Sequence, residues 1–89
     1  MWSMGLRELL LECCRLARRR DPESRRALAE AYWRYVSALP PEQRRAAVCI
    51  MSGGRTVVVR RDEIPKRLLK DDEFYELFRA YLLSIEPHV

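Results

Sequence analysis

Paired and triple arginines are the residues of this chain whose chemistry is most apparent. Guanidinium groups follow one another at four places, spread over the first 61 of the 89 residues. A guanidinium presents a planar fork of N–H donors, which matches the geometry of phosphate oxygens. Clusters of this kind predict contacts to the phosphate backbone of DNA or RNA, without a preference for base sequence. The predicted contact residues are Arg18, Arg19, Arg20, Arg25, Arg26, Arg44, Arg45, Arg60 and Arg61.

The distribution of charge supports an anionic partner for this part of the chain. Residues 1–61 contain 13 basic and 6 acidic side chains, whereas residues 62–89 contain 4 basic and 7 acidic ones. The first part therefore has a net charge of about +7 and the second about −3. A competing interpretation is that the arginines are solvated and complement nearby helix ends and carboxylates. The acidic residues, in turn, are expected to cap helices or to contact the basic part of a neighbouring copy; they are Asp62, Glu63, Asp71, Asp72 and Glu73.

No pattern in the sequence indicates an enzyme. There is no glycine-rich phosphate loop and no nucleophile with a plausible histidine base, since the single histidine, His88, is the penultimate residue. The three cysteines, Cys13, Cys14 and Cys49, lack the CxxC spacing of zinc sites. We expect Cys13 to be a buried helix residue, and we expect no metal, no cofactor and no small-molecule substrate.

Length and composition predict one globular domain over residues 1–89, in which apolar residues make up 48% of the chain. The longest apolar run, from Ala46 to Met51, is far shorter than the roughly 20 residues of a transmembrane helix. No secretory signal is evident, so we expect a cytoplasmic protein that does not bind membranes. The absence of asparagine is typical of thermophiles, although an arginine-rich composition also fits a GC-rich genome.

Apolar periodicity predicts a mainly α fold of about four helices, with a short β-hairpin at residues ~48–61 between them. A first helix, capped by Ser3, should end near Arg19. A second should begin at Asp21-Pro22 and end near Ser37, with Arg26, Glu30 and Arg34 as a charge ladder on its solvent side. Further helical turns should follow Pro41 and Ile64, and a last helix should follow the cap Asp71. These ranges come from residues 1–89 of the sequence.

Residues 46–51 fit either a buried helix that ends at Gly53 or a strand that turns at Gly53-Gly54. We favour the hairpin, because a lone valine strand would leave its backbone N–H and C=O groups unpaired. An open hairpin edge could pair with a second copy, so we expect a homodimer or a subunit of a larger complex. The predicted partner contacts are Trp33, Val57 and Val59. A non-catalytic protein-interaction subunit is accordingly the alternative function.

Residues 38–46, Ala-Leu-Pro-Pro-Glu-Gln-Arg-Arg-Ala, resemble the opening of the helix-turn-helix in sigma-factor DNA-binding domains. The resemblance implies that Arg44 and Arg45 open a second helix that meets DNA. It covers nine residues, after which this chain has Ser52-Gly53-Gly54 and a valine strand where that family has a turn and a recognition helix. A strand followed by helices also loosely resembles ribbon-helix-helix dimers, whose paired strands enter the major groove.

Overall fold

A computed structural model describes residues 5–89, and the predicted cap Ser3 lies outside them. Five α-helices and one two-stranded antiparallel sheet make up this part of the chain. The mainly α fold with a central hairpin is therefore confirmed. Two helices come first, then a single helical turn, the hairpin and two further helices. Their bounds are α1 Leu6–Ala17, α2 Pro22–Ser37, α3 Pro41–Arg44, β1 Ala47–Ser52, β2 Arg55–Arg60, α4 Ile64–Lys70 and α5 Asp72–Ile85.

The first two helices begin and end where capping chemistry dictates. At the start of α1, the Glu8 carboxylate accepts a hydrogen bond from the backbone N–H of Gly5, at 3.0 Å. At the start of α2, the Asp21 carboxylate accepts one from the backbone N–H of Ser24, at 2.6 Å, and Pro22 occupies the first helical position. The short connection between them makes α1 and α2 an antiparallel pair that packs along its length.

The segment that could have been helix or strand is strand β1. Gly53 and Gly54 have φ angles of 57° and 79°, which a two-residue hairpin turn requires and which side chains disfavour. Ile50 pairs with Val57 in the resulting register. Ile50 and Val59 are buried against the helices, whereas Val58 on the opposite face is 67% exposed.

Helix α5 completes the core. Asp71 caps it by accepting a hydrogen bond from the backbone N–H of Phe74, at 3.0 Å. Phe78 is fully buried, and its ring meets that of Tyr32 edge to face, with 5.1 Å between centroids. Arg79 is also buried and donates to the carbonyl of Ala17, at 2.9 Å, at the C-terminal end of α1. The last helix therefore contacts α1, α4 and β1.

The helix count exceeds the predicted four because two short segments are regular helices. Residues 41–44 form one turn, α3, and residues 64–70 form two turns, α4, with Pro65 in the first turn, where a missing N–H costs nothing. Within residues 5–89, no helix has both the length and the apolar character needed to cross a membrane.

Candidate nucleic-acid interface

The acidic residues of the last third fold back onto the arginines. Each of the five acids singled out from the sequence lies within 4.0 Å of an arginine of its own chain. Two of these pairs connect distant segments, namely Arg25 with Asp72 at 2.7 Å and Arg55 with Glu73 at 3.3 Å. The carboxylates predicted to reach a neighbouring copy are thus partnered within the chain, and part of the charge of residues 1–61 is neutralised internally.

The first arginine cluster lies at the corner between α1 and α2, and its members have different environments. Arg18 forms an ion pair with Glu86. Arg25 is held by Asp72, by the carbonyl of Leu68 at 2.6 Å and by the face of Tyr75. These contacts give both arginines a structural role. By contrast, three exposed arginines have no carboxylate within 4.0 Å among residues 5–89; they are Arg19, Arg20 and Arg26.

The second cluster surrounds the C-terminal end of α2. Arg44 donates to the carbonyls of Leu39 and Ser37, at 2.8 and 3.0 Å, and so satisfies acceptors that the end of α2 leaves without helical partners. This contact gives Arg44 a structural role at the end of α2. The remaining member of that pair, Arg45, is exposed and has no carboxylate partner in the described part of the chain.

The two arginines at the end of the second strand are also held by the fold. Arg60 pairs with Asp62 at 2.7 Å, and Glu63 lies 3.8 Å away. Arg61 is half-buried, and its guanidinium donates to the carbonyl of Gln43 at 2.8 Å. Of the nine predicted arginines, the ones left exposed without a carboxylate partner in residues 5–89 are Arg19, Arg20, Arg26 and Arg45; we call these the unpaired arginines.

Helix α2 connects the two clusters. Its sixteen residues span about 24 Å at a rise of 1.5 Å per residue, so the clusters lie at its opposite ends. Arg34, in the last turn of α2, is exposed and has no carboxylate within 4.0 Å in the described structure, although, together with the hydrogen bond from Arg15, its charge lowers the pKa of Glu12 on α1. The exposed Glu30 lies four residues from both Arg26 and Arg34, so this side of α2 carries charges of both signs.

The structure of the turn after α2 departs from a helix-turn-helix. α3 is a single turn, and Arg45 and Ala46 lead directly into β1. A strand therefore occupies the position at which the sigma-factor resemblance implies a recognition helix. Arg44 and Arg45 therefore follow the end of α2 and do not open a second long helix. The sigma-factor resemblance stops at the nine residues that suggested it.

The three predicted partner contacts differ in accessibility. Trp33 is 53% exposed and lies beside Leu69, which is 52% exposed. Val59 is buried and Val57 is half-buried, because both face the helices, and Val58 is the exposed valine of β2. The sheet has the order β1-β2, so neither strand has a second strand neighbour among residues 5–89.

An open apolar groove of about 470 Å³ surrounds Trp33, between α2 and α4. Its apolar lining residues are Ala29, Trp33, Pro65 and Leu69, and its charged lining residues are Glu30, Arg34 and Lys66. The sequence did not predict this groove, because it forms only when α4 packs against α2.

Comparison with known proteins gives no relative that would assign a function. No family model, no curated protein and no solved structure matches this chain. Within the described residues, no three His, Cys, Asp or Glu side chains come together as a metal site. Cys13 and Cys14 are buried, and burial raises the pKa of the Cys13 thiol to about 12. The Cys14 thiol donates to the carbonyl of Leu82, with 3.6 Å between sulfur and oxygen.

Proposed function

We propose that this protein is a small, non-catalytic nucleic-acid-binding protein that contacts phosphates without reading base sequence. The observation that carries the proposal is the exposure of the unpaired arginines, which keep their charge while other arginines of the chain are neutralised by carboxylates. A guanidinium with free N–H donors can form the bidentate contacts that phosphate oxygens accept. The net charge of +4 on the whole chain favours approach to a polyanion.

The ends of α2, about 24 Å apart, each supply a contact region, and Arg34 lies in the last turn of this helix. Arg19, Arg20 and Arg26 form one region and Arg45 the other. A nucleic-acid strand that runs along the solvent side of α2 would meet both regions. The distance between the two ends of the helix favours an extended phosphate backbone over a single small anion.

Salt-dependent binding tests this proposal. We would measure fluorescence anisotropy of labelled single-stranded DNA, duplex DNA and RNA across roughly 50 to 200 mM salt, where each phosphate contact on duplex DNA contributes about 0.9 to the log-log slope. A slope steeper than about 3 is expected, with similar values for unrelated sequences. Undetectable or salt-insensitive binding to all three polymers would refute the proposal.

A protein-interaction role is the second candidate, and the groove around Trp33 favours it. Exposed tryptophans beside other apolar side chains are typical of interfaces, where they contribute much of the binding energy. Here Trp33 and Leu69 are both more than half exposed in one groove. After nuclease treatment, wild-type protein should retain one stoichiometric protein partner that Trp33→Ser loses, while the variant keeps the salt slope on DNA. Retention of that partner by the variant would exclude the groove as its docking site.

A further inference from the structure

Three tyrosines from two helices converge around Phe78. Tyr32 and Tyr35 belong to α2, and Tyr81 belongs to α5. The ring centroids of Tyr32 and Tyr35 lie 5.4 Å apart, and Phe78 lies 5.1 Å from Tyr32 and 6.0 Å from Tyr81. Tyr32 and Tyr81 pack against Phe78, and Tyr35 packs against Tyr32, which brings the three phenols close together.

A partly enclosed pocket of about 70 Å³ opens beside these phenols. Tyr32, Tyr35, Tyr81 and Arg61 supply its polar groups, and the rest of its wall is apolar. The apolar wall consists of Leu10, Val48, Ile50, Leu82 and Ile85. Among residues 5–89, none of the three phenolic hydroxyls has a hydrogen-bond partner, and none is fully enclosed by the protein, so each can donate to a group that enters the pocket.

The electrostatics of the pocket favour an anion. Arg61 is held in place by its hydrogen bond to the carbonyl of Gln43, which occupies one of its nitrogens. Burial raises the pKa of Tyr32 and Tyr81, and the positive charge of Arg61 opposes this shift without cancelling it. The two phenols therefore remain protonated at neutral pH and can donate. No carboxylate of residues 5–89 lines the pocket, and Arg61 is its charged lining residue.

Size and the arrangement of donors define the class of anion. A pocket of about 70 Å³ admits a group the size of a few water molecules, which suits one phosphate group. The donors come from α2, from α5 and from the residue after β2, so they approach from different directions. A tetrahedral oxyanion with three free oxygens can use such donors more fully than a planar carboxylate with two.

We propose that the pocket of Tyr32, Tyr35, Tyr81 and Arg61 binds a phosphate monoester, and that its ligand is the terminal phosphate of a nucleic-acid strand. An internal phosphodiester would require the chain to enter and leave a pocket of this size, whereas a terminal group needs one opening. Arg61 shares the Gln43–Arg45 corner with an unpaired arginine, so a strand bound there could reach the pocket with its end. The identity of the ligand as a strand end rests on the proposed function; phosphate recognition by the pocket does not.

Binding of strands with different ends tests the inference. We would compare single strands with a phosphate at the 5′ end, at the 3′ end or at neither, using anisotropy at one salt concentration. Wild-type protein should prefer one phosphorylated strand at least roughly tenfold, since a single hydrogen bond to a charged group is worth about that factor. Tyr32→Phe combined with Tyr81→Phe should abolish the preference and leave the affinity for the unphosphorylated strand unchanged.

Matched variants separate the pocket from general effects on the fold. Phenylalanine keeps the ring that packs on Phe78, and Tyr75→Phe is the control, because Tyr75 has a buried hydroxyl without a described partner but does not line the pocket. If the double variant does not fold, Arg61→Gln replaces it, since Arg61 is outside the buried core. Tyr75→Phe should keep the wild-type preference, and a loss in both variants would overturn the assignment.

Calorimetric titration with inorganic phosphate distinguishes the possible sources of the phosphate. Heat of binding that disappears in the double tyrosine variant, without a preference among strands, would support the pocket and identify free phosphate as its ligand. The pocket would then stand even if no strand bound at all and the proposed function failed. Absence of both phosphate binding and a strand preference would overturn the inference, whatever the salt slope of nucleic-acid binding.

Discussion

The pairing of arginines makes a quantitative prediction about which of them contact nucleic acid. Arg19→Gln combined with Arg20→Gln removes two exposed charges that have no carboxylate partner in the described structure. At about 0.9 per phosphate contact, the log-log salt slope on duplex DNA should fall by about 1.8. When salt is raised fourfold, the double variant should therefore lose roughly 12-fold less affinity than the wild-type protein. Anisotropy titrations at several salt concentrations measure the change directly.

The control removes the same number of charges from arginines that already have partners. Arg18→Gln combined with Arg60→Gln leaves Glu86 and Asp62 without their cations, so the change in net charge equals that of the test variant. We expect the slope to change by less than about 0.5, because these guanidiniums already pair with carboxylates and so should not displace counterions from phosphates. Equal decreases in both variants would refute the reasoning, since binding would then follow net charge alone.

Three further predictions concern stability and reactivity. Phe78→Ala should lower the free energy of unfolding by about 3 to 5 kcal/mol in guanidinium melts, because the ring is fully buried among other aromatics; a loss below about 1 kcal/mol would contradict this packing. Hydrogen bonds from Ser24 hold the pKa of Asp21 below its ordinary value. The stability that this carboxylate gives to the folded protein is therefore present above the unfolded pKa of about 3.9, and it is lost as pH falls through the folded pKa. Asp21→Asn keeps a capping oxygen but cannot titrate, so the melting temperature of this variant should decrease less between about pH 5 and pH 2. The same decrease as in the wild-type protein would contradict the role of Asp21 in acid stability. At pH 8, one thiol, the exposed Cys49, should react rapidly with a disulfide reagent and the two buried thiols only after denaturation; rapid reaction of all three would contradict their burial.

Local signals were sufficient to predict most of the elements. Asp21-Pro22 and Asp71 are caps whose effects extend over one helical turn, and Gly53-Gly54 determines the hairpin within two residues. In each case the interaction that decides the structure joins neighbours in the sequence. The hairpin prediction was also aided by the rule that a buried backbone must pair its N–H and C=O groups.

The candidate site was less predictable, because its environment depends on distant contacts. The partners of Arg18 and Arg25 lie 68 and 47 residues away in sequence, and no local pattern distinguishes these arginines from Arg19. The groove at Trp33 depends on α4, which packs there only in the folded chain. Similarly, Tyr32 and Tyr81 belong to different helices, α2 and α5, and their common pocket exists only after those helices pack.

The return of the acidic segment onto the basic one has a consequence for synthesis of the protein. Translation proceeds from the N-terminus, so a segment with a net charge of about +7 emerges before the 28 residues that hold most of its neutralising carboxylates. Phe78 and the buried Arg79, which complete the core around α1 and α2, also belong to this late segment. During synthesis, residues 1–61 therefore carry a net positive charge and an incomplete core until α5 has emerged.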